Sequence, residues 1–591
     1  MIFTQYYLEC LSHASYLVGD ETTGRAVVVD PQRDVSQYLA DAGEHGLHIE
    51  RVVETHIHAD ILSGHLELAA RTGAVISYGQ AAEVAFPIEP LDDHQRLVLG
   101  EVVLEILATP GHTPESISIV VREHPGDAVP YGVLTGDTLF IGDVGRPDLL
   151  AAAGYSADEL ARMLYRSLHT QLLTLPDATR VFPAHGAGSA CGKQLSTEKQ
   201  STIGEQRATN YALQPMTEDE FVAAVTEGQP LRPAYFSFDA QRNREPHELL
   251  VEDEPPAALT LDDVVARAAD GAVLLDARAP ADFAHGHLRG ALNVGLDGRF
   301  AEYVGDVVEP DRDIVLVGDP ATAAEARTRL GRIGFDRVVG FLADPAAAAE
   351  ARPDRFEPSS RLTIEQLAEA RGNTPDLQLV DVRNPGETAH GTIRGALELP
   401  VPALNRLLPA LDPARPTVVY CAGGYRSSLA ASRLRAAGFA DVSDVLGGFG
   451  AWQAAGLPVT APPDHDHTLR NEEASDAMPK ESVPEVDAAE GRRRVEGGAL
   501  LLDVREPDEW TAGHAPEARL IPLGQVQARL AELPKDRTIV AVCRSGGRSA
   551  SVTEALTAWG YDAVNLAGGM RAWAAAGLPV VTDDGAPGAV I

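Results

Sequence analysis

Three segments of this chain carry the same short pattern, an apolar strand that ends in Asp-x-Arg. They read Leu274-Leu275-Asp276-Ala277-Arg278, Leu379-Val380-Asp381-Val382-Arg383 and Leu501-Leu502-Asp503-Val504-Arg505. Self-similarity of this kind is the mark of a repeated structural unit. About 40 residues beyond the last two aspartates a second β-branched strand ends in cysteine, at Val418-Val419-Tyr420-Cys421 and Ile539-Val540-Ala541-Val542-Cys543. Each cysteine leads into a Gly/Ser-rich loop and an Ala/Leu/Arg-rich helical stretch. The closing segments are Gly447-Gly448-Phe449-Gly450-Ala451-Trp452 and Gly568-Gly569-Met570-Arg571-Ala572-Trp573. Strands alternating with helical patterns predict parallel α/β units. Boundaries fall where the composition turns polar, over Glu245–Pro256, Pro345–Ser360 and Pro462–Glu485, the last reading as a flexible linker. The expected organisation is α/β and multidomain: a leading domain over 1–245, then units over 257–345, 360–461 and 484–583.

At 591 residues the chain is too long for one core. Its 49 basic and 86 acidic residues give a net charge of −37, a field that repels nucleic acid and anionic membrane, so neither is an expected partner. Four cysteines (Cys10, Cys191, Cys421, Cys543) are too few for a disulfide framework. The N-terminal segment has no basic n-region or signal-like apolar core, and no apolar run approaches the roughly 20 residues of a membrane helix. The expectation is a soluble protein of a reducing cytoplasm.

The leading domain carries Thr55-His56-Ile57-His58-Ala59-Asp60 after the apolar segment Ile49–Val53. Downstream come Thr109-Pro110-Gly111-His112-Thr113-Pro114, Leu134-Thr135-Gly136-Asp137-Thr138 and Phe182-Pro183-Ala184-His185-Gly186. Each follows a short apolar run, which predicts a strand-to-loop transition and a metal site built from strand ends. Spacing alone leaves open which of His56 and His58 binds.

This set resembles the metallo-β-lactamase superfamily, whose fold is a four-layer αββα sandwich. The stretches Thr135-Gly136-Asp137-Thr138-Leu139-Phe140-Ile141-Gly142-Asp143-Val144-Gly145-Arg146-Pro147-Asp148-Leu149 and His185-Gly186-Ala187-Gly188-Ser189-Ala190-Cys191-Gly192-Lys193 are similar to persulfide dioxygenases. The resemblance covers residues 1 to about 240. Binuclear hydrolases of the glyoxalase II kind need a histidine directly after the motif's aspartate; here it is Ile61, which cannot ligate. The resemblance then implies His56, His112 and Asp137 as a 2-His-1-carboxylate face for one Fe(II) with open positions. His58, Asp60 and His185 become groups that orient ligands or bind water. It further implies Arg146 as a grip on a carboxylate of the thiol carrier. Cys191 and Cys10 read as packed residues, Cys10 in a strand.

The loops Cys421-Ala422-Gly423-Gly424-Tyr425-Arg426 and Cys543-Arg544-Ser545-Gly546-Gly547-Arg548 place a cysteine at a strand end before a helix N-terminus. Backbone N–H groups and the helix dipole there stabilise a thiolate or an anionic persulfide. Arg426 and Arg548 add positive charge at the rim. The Cys-x4-Arg arrangement resembles rhodaneses, with Cys421 and Cys543 as catalytic nucleophiles. The first repeat has Gly318-Asp319-Pro320 where the others have cysteine, so it reads as an inactive rhodanese-like module.

Together the resemblances imply oxidation of a low-molecular-weight thiol persulfide by O2 to sulfite and thiol. Rhodanese transfer would then interconvert persulfide and thiosulfate in sulfide detoxification. The alternative is a binuclear zinc thioester hydrolase of glyoxalase II type with sulfur-carrier modules. Proteins of this kind are commonly homo-oligomers.

Overall fold

Alternation along the N-terminal strands decides the architecture. In Val27-Val28-Val29 the first and third side chains enter one core and the second enters another; Ile119-Val120-Val121 does the same. A strand buried on both faces must lie in a sheet covered on both sides. The computed structural model describes residues 1–149, 155–252, 255–460 and 484–590, apart from 506, 527–528, 536, 545, 559–560, 583–585 and 587. Twelve strands form two six-stranded sheets. The first holds β1 (Ile2–Leu8), β2 (His13–Asp20), β3 (Arg25–Val29), β4 (His48–Val53), β5 (Val75–Gly79) and β6 (Glu89–Leu91) in sequence order. The second holds β7 (Arg96–Val98), β8 (Val103–Ala108), β9 (Ile117–Arg122), β10 (Gly132–Gly136), β11 (Arg180–Pro183) and β12 (Ser201–Thr202).

The sheets pack face to face through Tyr16, Val27, Val29, Leu104, Ile106, Ile119 and Phe182. Helices Ser36–Glu44 and His65–Thr72 cover the first sheet through Tyr38, Ala42 and Leu68. Helix Ala157–Thr170, opened by a reciprocal Ser156/Glu159 cap, covers the second through Ala161, Leu164 and Leu168. This is the expected αββα sandwich.

The repeats fold as three parallel α/β domains. The first has a four-stranded sheet centred on Val273–Asp276 and Ile314–Val317; the others have five-stranded sheets centred on Gln378–Asp381 with Thr417–Tyr420, and Leu500–Asp503 with Ile539–Val542. The structure gives the shared Asp-x-Arg a structural task. Arg383 forks onto Asp381 at 2.9 and 2.6 Å and donates at 2.8 Å to the carbonyl of Gly391. Arg505 does the same with Asp503 and Gly513, and Arg278 with Asp276 and Gly286. The pair ties a strand end to the chain eight residues on. Over Pro345–Ser360, where a polar boundary was expected, the chain forms helix Pro345–Ala351, and Phe356–Glu357 pairs with His287–Leu288. The linker expected over Pro462–Glu485 lies, up to residue 483, outside the described residues.

The chain divides into two compact units, Met1–Ala474 and Ser475–Ile591. Inside the first, the sandwich and two repeats share one apolar cluster. It runs from Leu11, Ile61 and Tyr235 through Phe300, Val304 and Leu330 to Leu404 and Leu429. Arg33 fixes the first junction. Its buried guanidinium donates to Glu67 at 2.9 Å, to the carbonyl of Gly331 at 2.9 Å, and to Asp336. Replacing it with an apolar residue leaves the Glu67 carboxylate buried and unpaired. We expect Arg33→Met to cost about 3 kcal/mol or more, read as a lowered urea midpoint of the first unit. An unchanged midpoint would remove this ion pair from the account of how the domains are joined.

Candidate metal centre and cysteine loops

The four motifs of the leading domain follow the ends of β4, β8, β10 and β11, which converge at one edge of the sandwich. Every side chain in the cluster is buried. One ligand atom each from His56, His112 and Asp137 lies within 4.8 Å of the others. Asp137 Oδ2 is 3.4 Å from His112 Nε2 and 3.8 Å from His56 Nε2, while Oδ1 is 3.4 Å from His185 Nε2. The same His185 nitrogen is 3.3 Å from Asp60 Oδ2. Asp137 leaves the strand at Gly136, whose φ of 49° turns the chain sharply.

Acceptors behind the rings set their tautomers. His112 Nδ1 donates to the carbonyl of Arg146 at 2.9 Å and His185 Nδ1 to that of Ser12 at 3.1 Å. Thr55 Oγ1 gives its proton to Asp30 Oδ2 at 2.8 Å, so at 3.0 Å it accepts from His56 Nδ1. Each ring therefore carries its proton on the far nitrogen and turns a lone pair inward. His56 Nε2 and both Asp137 oxygens have no hydrogen-bond partner. Unpaired buried acceptors facing one point are costly unless a cation sits between them, so these residues fit a metal ion.

Burial, then the neighbouring imidazoles, push His56 well below the usual histidine range; burial also lowers His112. His58 moves the other way. Burial would lower it, but Asp30 at 3.2 Å, together with Asp60 and Glu54, holds it well above that range. Ile61 is buried in the cluster shared with the next domain, alongside Leu11, Phe140 and Tyr235, while the carbonyl of Asp60 accepts from Tyr235 at 3.2 Å.

Two expected residues sit differently from the sequence reading. The Arg146 guanidinium is buried, forked onto Asp148 at 2.6 and 2.7 Å, with a third bond of 2.9 Å to the carbonyl of Ala190. Cys10 lies in the turn after β1, half-buried, with Arg332 Nη1 3.6 Å from its sulfur. Three residues carry no motif and were missed. His13, on β2, donates from Nε2 to the carbonyl of Asp30 at 2.8 Å, among His58 and His185. Arg232 and Arg244 line a cleft that opens on His112, with Ile57, Leu149 and Phe236 as its apolar wall. Cys191 is buried beside Asp60 and Asp137, and burial followed by those carboxylates holds its thiol well above the usual range.

In the second repeat the Gly424 N–H points at Cys421 Sγ from 3.1 Å, and Ser427 Oγ is 3.6 Å away. Helix Tyr425–Ala436 starts there. The third repeat matches it: Gly546 N–H at 3.1 Å and Ser549 Oγ at 3.4 Å from Cys543 Sγ, before helix Gly547–Ala558. The Gly-Gly turn closes each loop from behind. The Phe449 N–H donates to the carbonyl of Cys421 at 2.7 Å, and a Cβ at Gly448 would lie 2.2 Å from that oxygen. Arg426 forks onto Glu387 at 2.6 and 2.7 Å, and Arg548 onto Glu509 at 2.7 and 2.6 Å. In the first repeat Asp319 caps helix Pro320–Gly331 through Ala321 and Thr322 N–H, and no thiol is present.

Comparison with known proteins agrees with this division. Residues 8–185 match the metallo-beta-lactamase superfamily, and residues 260–344, 363–455 and 487–576 each match the rhodanese-like domain. "Persulfide dioxygenase ETHE1, mitochondrial" of Bos taurus is 31% identical over 233 residues, 39% of this chain and 82% of that protein. A "Sulfurtransferase" of Allochromatium vinosum is 45% identical over 87 residues, 15% of this chain and 81% of that protein. A crystal structure of a metallo-beta-lactamase from Staphylococcus aureus is 33% identical with a TM-score of 0.53, covering 58% of this chain and 98% of that one. The chain thus belongs to the metallo-β-lactamase superfamily, with persulfide dioxygenase homologues, and carries three rhodanese-like domains behind its metal domain.

Proposed function

We propose that the leading domain oxidises a low-molecular-weight thiol persulfide and that the rhodanese loops move sulfane sulfur to or from its products. The balance is RSSH + O2 + H2O → RSH + SO3²⁻ + 2H⁺. The observation that carries this reading is the His56–His112–Asp137 face beside an Ile61 turned to packing, joined to two cysteine loops. When bound, Fe(II) supplies the redox chemistry and open positions on one side of such a face.

The chain's own residues do the rest. Thr55 and the Arg146 carbonyl hold His56 and His112 with their lone pairs inward. Ile57, Leu149 and Phe236 shield the approach to His112 from water, and Arg232 and Arg244 at the same cleft offer charge to an anionic thiol carrier. With its guanidinium engaged by Asp148, Arg146 serves as a positioning residue for His112. His58, Asp60 and His185 surround the face and orient it.

At the loops, the Cys421 or Cys543 thiolate attacks the outer sulfur of a persulfide; the S–S bond breaks and the thiol leaves with the proton. Sulfite then attacks the enzyme-bound sulfur, giving thiosulfate and restoring the thiolate. The amides of Gly424 and Gly546 steady the anionic sulfur. Glu387 and Glu509 hold the rim arginines until an anion competes for them. Among the described residues no helix is long and apolar enough to cross a membrane, and all four cysteines are free thiols. Such thiols fit a reducing cytoplasm and a role in sulfide detoxification. The alternative, a binuclear zinc thioester hydrolase, would lack the ligand replaced by Ile61.

Protein loaded with Fe(II) without air should consume O2 and release sulfite when given glutathione persulfide. Absence of both overturns the dioxygenase reading, and thioester hydrolysis without O2 uptake would establish the alternative. Thiosulfate formation should fall at least tenfold in whichever of Cys421→Ser and Cys543→Ser removes the working loop. Retention of full activity in the double variant would contradict the transfer step. Thr55→Val deletes the acceptor behind His56, so metal affinity should fall about 10–100-fold in a chelator competition. Equal affinity would show that the ring is fixed by something else.

A further inference from the structure

Two openings reach the metal centre, and substrate approach at His112 needs only one of them. The cleft on His112 carries Arg232 and Arg244. A second, smaller cavity meets the cluster at Asp60 and is lined further by Ser189, Tyr235, Phe236, Arg299 and Glu302; Phe236 is a wall of both. Arg299 and Glu302 come from the cysteine-free repeat, at the start of helix Phe300–Val307. The Arg299 guanidinium crosses to the sandwich, where a Cβ at Gly188 (φ 102°) would lie 3.7 Å from its Nη1. Its Nη2 pairs with Glu302, while its Nε is buried and has no hydrogen-bond partner. A buried, charged N–H without an acceptor is costly, and a ligand that brings an acceptor removes the cost.

The lining defines the ligand. Arg299 offers a charged donor, and Glu302 and Asp60 offer carboxylates. A small oxyanion that keeps one proton suits both, accepting from Arg299 and donating to Glu302. Bisulfite is such an anion, the sulfite product with one of its protons retained.

The same helix also faces Cys421. Tyr303, next in the chain to Glu302, has its ring 5.7 Å from that of Tyr425, the residue before Arg426. Tyr425 in turn donates to the carbonyl of Gly295 in the cysteine-free repeat. Burial raises the Glu302 carboxyl; Arg299 pulls it down, Asp60 pushes it up and Arg426 pulls it down again. One residue thus lies within electrostatic reach of the metal cluster and of the rim arginine of the Cys421 loop.

From this placement we infer that Arg299, with Glu302, holds bisulfite on its way from the metal face to Cys421. The inference rests on the reaction proposed above for its ligand. No covalent bond changes at the site, and the proton returns to water before sulfite attacks the sulfur on Cys421. Hand-over inside one compact unit keeps the anion at a local concentration above that of the medium.

Two measurements with sulfite as the probe test this. Full-length protein loaded with Fe(II) without air is dialysed to equilibrium against radiolabelled sulfite; no turnover occurs, so the result stands apart from the dioxygenase reading. Arg299→Met combined with Glu302→Gln removes the pair without leaving a buried charge unpaired, and an unchanged iron content shows that it is folded. It should bind one equivalent of sulfite fewer than the unmodified protein, and equal binding overturns the site. In the second measurement Cys543→Ser protein, with Cys421 as the remaining loop thiol, turns over glutathione persulfide in air with ³⁴S-sulfite in the medium. After subtraction of an enzyme-free control, its thiosulfate should carry roughly fivefold less label than the medium, and removal of the Arg299–Glu302 pair should bring the label up to that of the medium. Thiosulfate that carries the full label in Cys543→Ser, or O2 uptake there without thiosulfate, overturns the hand-over whatever the pair variant does. Absence of O2 uptake is the failure of the dioxygenase reading, and the dialysis then decides the site alone.

Discussion

The constraint on which the structure rests is electrostatic. Four carboxylates, those of Asp30, Glu54, Asp60 and Asp137, are buried at one edge of a β sandwich among imidazoles. A carboxylate taken out of water is tolerable only if opposite charge or several donors meet it. Asp30 has the Thr55 amide and hydroxyl, and Glu54 has the Ser63 hydroxyl. Asp137 has lone pairs facing lone pairs. The strand ends that carry these groups come together only because the two sheets pack through a continuous apolar layer, so the sandwich can be read as the scaffold for a cation.

The second determinant is where the domains touch. Ile61 sits beside Asp60 in the chain, yet its side chain belongs to the cluster that joins the sandwich to the cysteine-free repeat. The amide of the next residue, Leu62, donates to the carbonyl of Arg332 in that repeat at 2.8 Å. A position able to hold a metal ligand is used instead to attach a neighbour. That neighbour also supports the cysteine domain, where Ser428 Oγ donates to Asn293 at 2.6 Å and Asn405 donates to the carbonyl of Val307 at 3.0 Å. The module without a thiol is the packing element between two chemical ones.

Most of the fold could be read from the sequence, because local patterns decide it. Alternating valines give the sandwich strands, and the threefold Asp-x-Arg gives the repeats. Each metal-site motif follows an apolar run that does form a strand. What could not be read depends on contacts between distant residues. His13 belongs to no motif, and its place among His58 and His185 follows from how β2 lies against the loops after β4 and β11. Arg33 meets Asp336 across three hundred positions. The partner of Arg146 was close at hand in Arg-Pro-Asp, but nothing local distinguishes an arginine that pairs with its neighbour from one that waits for a ligand. The Asp-x-Arg pattern is visible as a repeat, whereas its task of holding a carbonyl eight residues on depends on how the intervening turn brings the chain back to the strand end.

The central claim is that the buried His/Asp face holds an iron that a persulfide can approach. Nitric oxide tests this directly, since it binds open positions on a ferrous site and gives a half-integer-spin resonance signal. Anaerobic protein loaded with Fe(II) should give that signal, and the signal should shift when glutathione persulfide is added and vanish in Asp137→Ala. A signal indifferent to the persulfide, or one that survives Asp137→Ala, would contradict the account.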